Sequence, residues 1–248
     1  MWGLTPFDQL WCRIKFRESR YDGPNTPPGL SWSIQDPGTM GGTNWGSASV
    51  DTDRYIMIVS TSRLVTRVQL VPRQQADALA KPLGLGGKVS EIGGIQMQVG
   101  TPYGARIPPF LSPLHVPCQQ PPWGLLHAID LRSHRLLWSR PLGSGRDSGP
   151  FNISSGLPVR IGVPIAGGSL VTRSGLTFIG AAVEHEFRAI DTLTGRTLWN
   201  DRLPVSGNAT PMTYLGTRTG RQFVVIAAGG HMMLEAPNGD SIIAYALP

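Results

Sequence analysis

From about residue 120 onward, apolar residues come in short runs separated by polar or glycine-bearing turns. The runs are Leu125 to Ile129, Leu136 to Trp138, Ser169 to Thr172, Leu176 to Ala181, Phe187 to Ile190, Thr197 to Trp199, Phe223 to Ala228 and Ser241 to Ala246. Between them lie Arg173-Ser174-Gly175, Thr192-Leu193-Thr194-Gly195 and Thr217-Arg218-Thr219-Gly220. Runs this short, bounded by turn residues, read as β-strands. One more strand is expected at Tyr55 to Val59, after a turn at Asp51-Thr52-Asp53. Helical spacing is rare. The best helix candidate is Asp8 to Arg20, with Leu10, Ile14 and Phe16 apolar and Thr5-Pro6 as its start signal. Residues 1–45 are otherwise loop-rich, with Pro24, Pro27, Pro28 and Pro37. Residues 61–120 read as a long irregular insertion holding Gly84-Leu85-Gly86-Gly87. A connection of that length is usually functional.

One pattern occurs twice, 61 residues apart: Ala128-Ile129-Asp130 with Trp138, and Ala189-Ile190-Asp191 with Trp199. In each copy the Trp follows the Asp by eight residues. The Asp can accept backbone N–H bonds inside the turn, and the Trp buries a large ring whose N–H needs a partner. Four short strands in each roughly 50–60-residue period is the signature of a β-propeller blade. A chain of 248 residues makes about four such blades.

Composition agrees with many short strands. Thirty-one glycines and 22 prolines make about a fifth of the chain, and 40% of residues are apolar. Charged residues are only 15%, low for a helical protein. The net charge is +6, but the arginines are scattered and only Lys15, Lys81 and Lys88 are lysines. Nucleic-acid binding would ask for a dense basic stripe with interleaved aromatics, so no nucleic-acid partner is expected. Cys12 and Cys118 lie in no metal-binding pattern and are open to two readings, buried free thiols or one long-range disulfide. His115, His127, His134 and His185 form no metal-spaced pair. No run of about 18 apolar residues is present, and Met1-Trp2-Gly3-Leu4 does not read as a secretory leader.

Longer strings resemble one family. They include Phe7-Asp8-Gln9-Leu10, Pro102-Tyr103-Gly104, Pro109-Phe110-Leu111-Ser112-Pro113, Pro121-Pro122-Trp123-Gly124, Ala209-Thr210-Pro211-Met212-Thr213-Tyr214, Ala228-Gly229-Gly230-His231 and Ala244-Tyr245-Ala246-Leu247-Pro248. With the repeated Ala-x-Asp and Leu-Trp pattern, they are similar to the C-terminal third of the membrane-bound glucose, quinate and shikimate dehydrogenases that use pyrroloquinoline quinone (PQQ). The resemblance implies an all-β fold: part of an eight-bladed propeller, about four blades over residues 1–248, whose repeated tryptophans dock one blade on the next. It also implies that the rest of the propeller and a membrane anchor lie outside this sequence. The location would be the periplasmic face of the inner membrane.

By the same resemblance, the reaction is oxidation of a cyclic polyol or sugar such as quinate, shikimate or glucose, with electrons passed to ubiquinone. PQQ is the cofactor, beside a divalent cation, Ca²⁺ or Mg²⁺, whose ligands cannot be assigned in this chain. The general base (an Asp) and a quinone-contacting Lys are expected upstream, so this piece alone is expected to be inactive. His231 is the expected substrate-binding residue; Trp45, Gly46, Ser60 and Glu184 are the expected cofactor-site residues. Ser60 falls where glucose-oxidising members carry Asn, and Glu184 where they carry Asp. The apolar loop Met232-Met233-Leu234-Glu235-Ala236-Pro237 leans the substrate towards quinate or another cyclic polyol. The rival expectation is a non-enzymatic propeller that acts as a protein-binding scaffold.

Overall fold

A computed structural model describes residues 1–43, 45–80, 95–231 and 236–246, without the side chains of Ala80 and Asn152. Asn44, Lys81, the Gly84–Gly87 run, Lys88, residues 232–235 of the apolar loop, and Leu247-Pro248 lie outside the described residues. The chain divides into two compact units: residues 1–41 with 63–120, and residues 42–62 with 121–248.

The first unit opens with helix α1, Pro6–Arg17. Thr5 caps it, its hydroxyl accepting the Asp8 N–H at 3.2 Å, and Pro6 occupies the first turn, where no N–H is needed. The helix therefore starts two residues before the sequence expectation. It stops earlier too, at Arg17, because the Glu18 N–H turns back to the Ile14 carbonyl at 3.0 Å and the Ser19 hydroxyl donates to the Lys15 carbonyl at 2.7 Å. Cys12 and Cys118 form a disulfide, which settles the question that spacing left open. Both sulfurs sit in a core with Ile34, Val65 and Phe110.

The described residues between 63 and 120 hold more regular structure than a loop-rich insertion would. Strands β1 (Ser33–Gln35), β4 (Thr66–Pro72), β5 (Ile95–Gln96) and β6 (Tyr103–Arg106) form an antiparallel sheet in the order β1-β4-β6-β5. Helix α2 (Arg73–Ala80) follows β4 directly. Arg73 ties this corner together, donating to the carbonyls of Gln98, Thr101 and Tyr103 at 2.7, 2.9 and 2.8 Å.

The described residues of the second unit form three antiparallel sheets. The first contains β2 (Ala48–Asp51), β3 (Ile56–Ser62), β7 (Gly124–Asp130) and β8 (Arg135–Pro141), in that order. The second contains β9 (Ser169–Val171), β10 (Leu176–Ile179), β11 (Glu186–Asp191) and β12 (Thr197–Arg202). The third contains β13 (Met212–Leu215), β14 (Gln222–Ala228) and β15 (Ser241–Ala246). The described residues thus form four antiparallel sheets, as the all-β expectation requires, and three of them run in strand order as blades do.

Period-2 alternation decides which faces meet. Ile56 and Ile58 of β3, with Leu126 and Ala128 of β7, pack against Ile179, Ala181 and Ile190 of the next sheet. The other face of that sheet gives Phe187, which packs with Leu203, Val224, Ile226 and Ala228.

The repeated motif has one structural meaning in both copies. Ala128 lies opposite Trp138, and Ala189 opposite Trp199, with a register shift immediately after each alanine. The bulge lets the following Asp enter the turn. Asp130 accepts the Arg132 N–H at 2.8 Å and Asp191 accepts the Thr194 N–H at 2.7 Å. Trp138 then docks on the next sheet: its indole N–H donates to the Thr192 carbonyl at 3.0 Å. A side chain on Gly195 would meet the Trp138 ring at 2.7 Å, so the glycine makes room for the indole. Trp199 docks by ring contact, edge-on to Tyr245 at 5.0 Å and to Phe187 at 6.2 Å. The Tyr245 hydroxyl donates to the Asp201 carboxylate at 2.9 Å, and burial with that bond pushes its pKa up.

Candidate active site

In a sheet whose strands follow chain order, the segment before the first strand and the connection from second to third strand lie at the same end. Four of the five expected site residues fall on these segments, and the fifth lies in a strand close to the same end. Trp45 and Gly46 precede β2, Ser60 is near the end of β3, Glu184 lies between β10 and β11, and His231 between β14 and β15.

At this end the three sheets meet backbone to backbone. A Cβ on Gly46 would come within 2.1 Å of the Gly167 carbonyl oxygen, and one on Gly167 within 2.2 Å of the Asn208 carbonyl oxygen. These are the segments leading into β2, β9 and β13, so glycine is required for the approach. Ser60, nearly buried, places its hydroxyl 3.5 Å from the Gly167 carbonyl. Ser62 makes the firmer tie, accepting the Ile165 N–H at 2.9 Å and donating to the Ile165 carbonyl at 3.0 Å. Between the second and third sheets, the Ala181 N–H donates to the Gly207 carbonyl at 2.7 Å.

Glu184 is 1% exposed and has both oxygens engaged. One accepts the Ser144 N–H at 2.8 Å and the Ser144 hydroxyl at 2.9 Å. The other accepts from the Arg188 guanidinium, which also reaches Glu186 at 2.8 Å. Glu184 thus anchors the segment after β8 to β11. Arg188 Nη1 is buried without a protein partner. Nearby, Asp147 accepts the His185 N–H at 3.0 Å and pairs with Arg202. Burial alone would raise the Asp147 pKa, but the Arg202 bond, the His185 N–H and the neighbouring positive charge outweigh it and hold the pKa low.

His231 sits at the mouth of the β14–β15 connection, bridged to Ala236 through its carbonyl at 3.1 Å. Gly230 before it has φ +72°, and a Cβ there would meet the Pro237 oxygen at 1.8 Å. The glycine therefore sets where the imidazole stands. His231 Nδ1 is buried without a protein partner, and burial pushes the His231 pKa down. Burial thus favours the neutral form of the ring. Trp45, beside Gly46, is 89% exposed.

The structure also brings in residues that sequence reasoning missed: Ser206 and Asn208 before β13, Ser144 after β8, and Arg188. Their signal was faint. The string that begins at Ala209 adjoins Asn208, and the repeat that begins at Ala189 adjoins Arg188.

Residues 1–224 match the family model described as the PQQ glucose/ethanol/alcohol dehydrogenase β-propeller domain. The chain belongs to this quinoprotein propeller family. Its full length is 43% identical to the quinate/shikimate dehydrogenase (quinone) of Acinetobacter baylyi and 42% identical to the quinoprotein glucose dehydrogenase of Escherichia coli. It is also 43% identical to the glycerol dehydrogenase large subunit of Gluconobacter thailandicus. The chain spans 30%, 31% and 34% of these relatives' lengths. Among solved structures, a europium-containing methanol dehydrogenase is similar over 78% of this chain and 26% of its own, with TM-score 0.50 and 20% identity. The quinohemoprotein alcohol dehydrogenase of Comamonas testosteroni is similar over 79% of this chain and 24% of its own, with the same TM-score and identity. At that identity the likeness concerns the fold alone.

One feature of the residues present suits PQQ, a flat tricycle with carboxylates at its edge: the buried Arg188 Nη1 is a cationic donor with no protein partner. Among the described residues, no three His, Cys, Asp or Glu side chains cluster to hold a metal ion.

Proposed function

We propose that this chain forms part of a PQQ-dependent dehydrogenase that oxidises a cyclic polyol or sugar, such as quinate, shikimate or glucose, and passes the electrons to ubiquinone. The observation that carries this reading is the convergence of Trp45, Gly46, Ser60, Glu184 and His231 on one end of three docked sheets. Relatives 40–43% identical over the whole chain are named as quinate, shikimate, glucose or glycerol dehydrogenases.

In this reading Trp45 offers an aromatic face for the cofactor ring, and the Gly46 backbone allows close approach. Ser60 contributes a hydroxyl. Glu184 acts as a positioning residue, holding Arg188 and Ser144 in place. His231, neutral, takes a hydrogen bond from the substrate alcohol. The chemistry supplied by bound PQQ is two-electron oxidation of an alcohol carbon. The general base and the quinone-contacting lysine belong to the remainder of the propeller, in the same or another chain. We place the protein at the periplasmic face of the inner membrane. The buried Cys12–Cys118 disulfide supports an oxidising compartment.

Tryptophan fluorescence of the intact protein tests the pocket. Micromolar PQQ with Ca²⁺ should quench it saturably. An emission unchanged by excess cofactor would instead favour the protein-binding scaffold.

A further inference from the structure

Three side chains at the converging end have buried polar atoms without a protein partner: Arg188 Nη1, Asn208 Oδ1 and His231 Nδ1. Arg188 already faces two carboxylates. The other two lie on neighbouring connections of the third sheet, joined by one fully buried residue, Ser206. The Gly230 N–H donates to the Ser206 carbonyl at 2.9 Å, which fixes the connection that carries His231. The Asn208 amide NH2 donates to the Ser206 hydroxyl at 3.0 Å, which fixes the side chain and leaves its oxygen over. The Asn208 backbone is fixed as well, packed against Gly167. A buried polar atom without a partner is uncommon in a folded protein. Two on one rigid support mark a place for a polar ligand.

We propose that Asn208 and His231 act as one hydroxyl-recognition pair, binding two neighbouring hydroxyls of the substrate alcohol, and that Asn208 thereby helps to set substrate choice. This rests on the dehydrogenase reading above. The chemistry of the pair favours an alcohol. The amide oxygen accepts a hydrogen bond and carries no charge. The buried imidazole gives or takes one bond at Nδ1. Neither group compensates an ionic partner, whereas a polyol supplies two adjacent O–H groups that both donate and accept. A site built to bond a hydroxyl strongly rejects the analogue that lacks it.

The test is made on the intact protein loaded with PQQ and Ca²⁺, using quinate, shikimate, glucose and their monodeoxy analogues. For the preferred substrate, Asn208→Ala should raise KM about tenfold, with a smaller fall in kcat. One deoxy analogue should show about the same tenfold penalty with the parent protein and little further loss with the variant, because both changes remove the same bond. Asn208→Asp keeps an acceptor in the same place and should recover most of the KM. PQQ affinity, read from tryptophan quenching, should be the same in all three proteins.

If the parent binds PQQ and turns over while Asn208→Ala leaves every KM unchanged, the pair is refuted and the dehydrogenase reading stands. The same holds if only PQQ affinity falls, since Asn208 would then face the cofactor, or if only the melting temperature falls, since it would then be a structural residue. Failure of the parent itself to bind PQQ would overturn the dehydrogenase reading, and the pair with it.

Discussion

Replacing both Cys12 and Cys118 with alanine should strip the first unit of most of its stability. The disulfide spans a sequence separation of 106 residues. For a closed loop of that size the chain-entropy relation gives about 4.8 kcal/mol at 25 °C. Loss of sulfur packing against Ile34, Val65 and Phe110 adds to this, by about 1 kcal/mol in all. A domain's whole stability is about 5–15 kcal/mol, so the variant should approach the edge of folding. Urea denaturation followed by circular dichroism would measure the change. The parent with reductant present through unfolding and refolding should behave like the double variant, and denatured, unreduced parent should titrate no free thiol. Coincident urea curves for parent and variant, within about 1 kcal/mol, would refute the reasoning.

Trp138→Phe keeps an aromatic ring but leaves the Thr192 carbonyl without its indole donor, and should cost about 1–3 kcal/mol in a urea titration. Glu184→Gln leaves Arg188 with Glu186 as its one carboxylate partner and should cost about 3 kcal/mol, at the low end for breaking a buried pair; calorimetry in parallel with the parent would measure it. Stability should also fall on mild acidification. Burial lowers the pKa of His127 and His231 in the folded chain, so below about pH 6.5 the unfolded chain binds more protons. Their contribution is therefore full above that pH and is lost as the pH drops towards the folded values. Melting temperatures from pH 7.5 to 5.0 would show the slope, and His127→Gln should flatten it.

The strands of the second unit were legible because their signal is local. Short apolar runs and the turns between them placed nine of its strands within a few residues, and the Ala-Ile-Asp…Trp repeat marked the docking positions. What was not legible depends on distant partners. Thr66-Arg67-Val68-Gln69-Leu70 does alternate, but β4 pairs with β1 and β6 in an order that local pattern does not give. Strand β13 was missed because three of its four residues, Met212, Tyr214 and Leu215, are exposed and give no alternation. The disulfide needed three-dimensional proximity, since Cys12 and Cys118 share no spacing rule. At the site, His231 and Gly46 could be named from motif strings, whereas Asn208 and Ser206 gain meaning only once the segments leading into β2, β9 and β13 are seen to touch.

The most direct test of the account is turnover by the intact protein after reconstitution with PQQ and Ca²⁺. Quinate, shikimate and glucose would be offered in turn, with a soluble ubiquinone analogue as electron acceptor. The account predicts acceptor reduction that requires both PQQ and at least one of these polyols, and that disappears when PQQ is withheld. Saturable PQQ binding without reduction by any of them would contradict the proposed substrate class, and no PQQ binding at all would contradict the central claim.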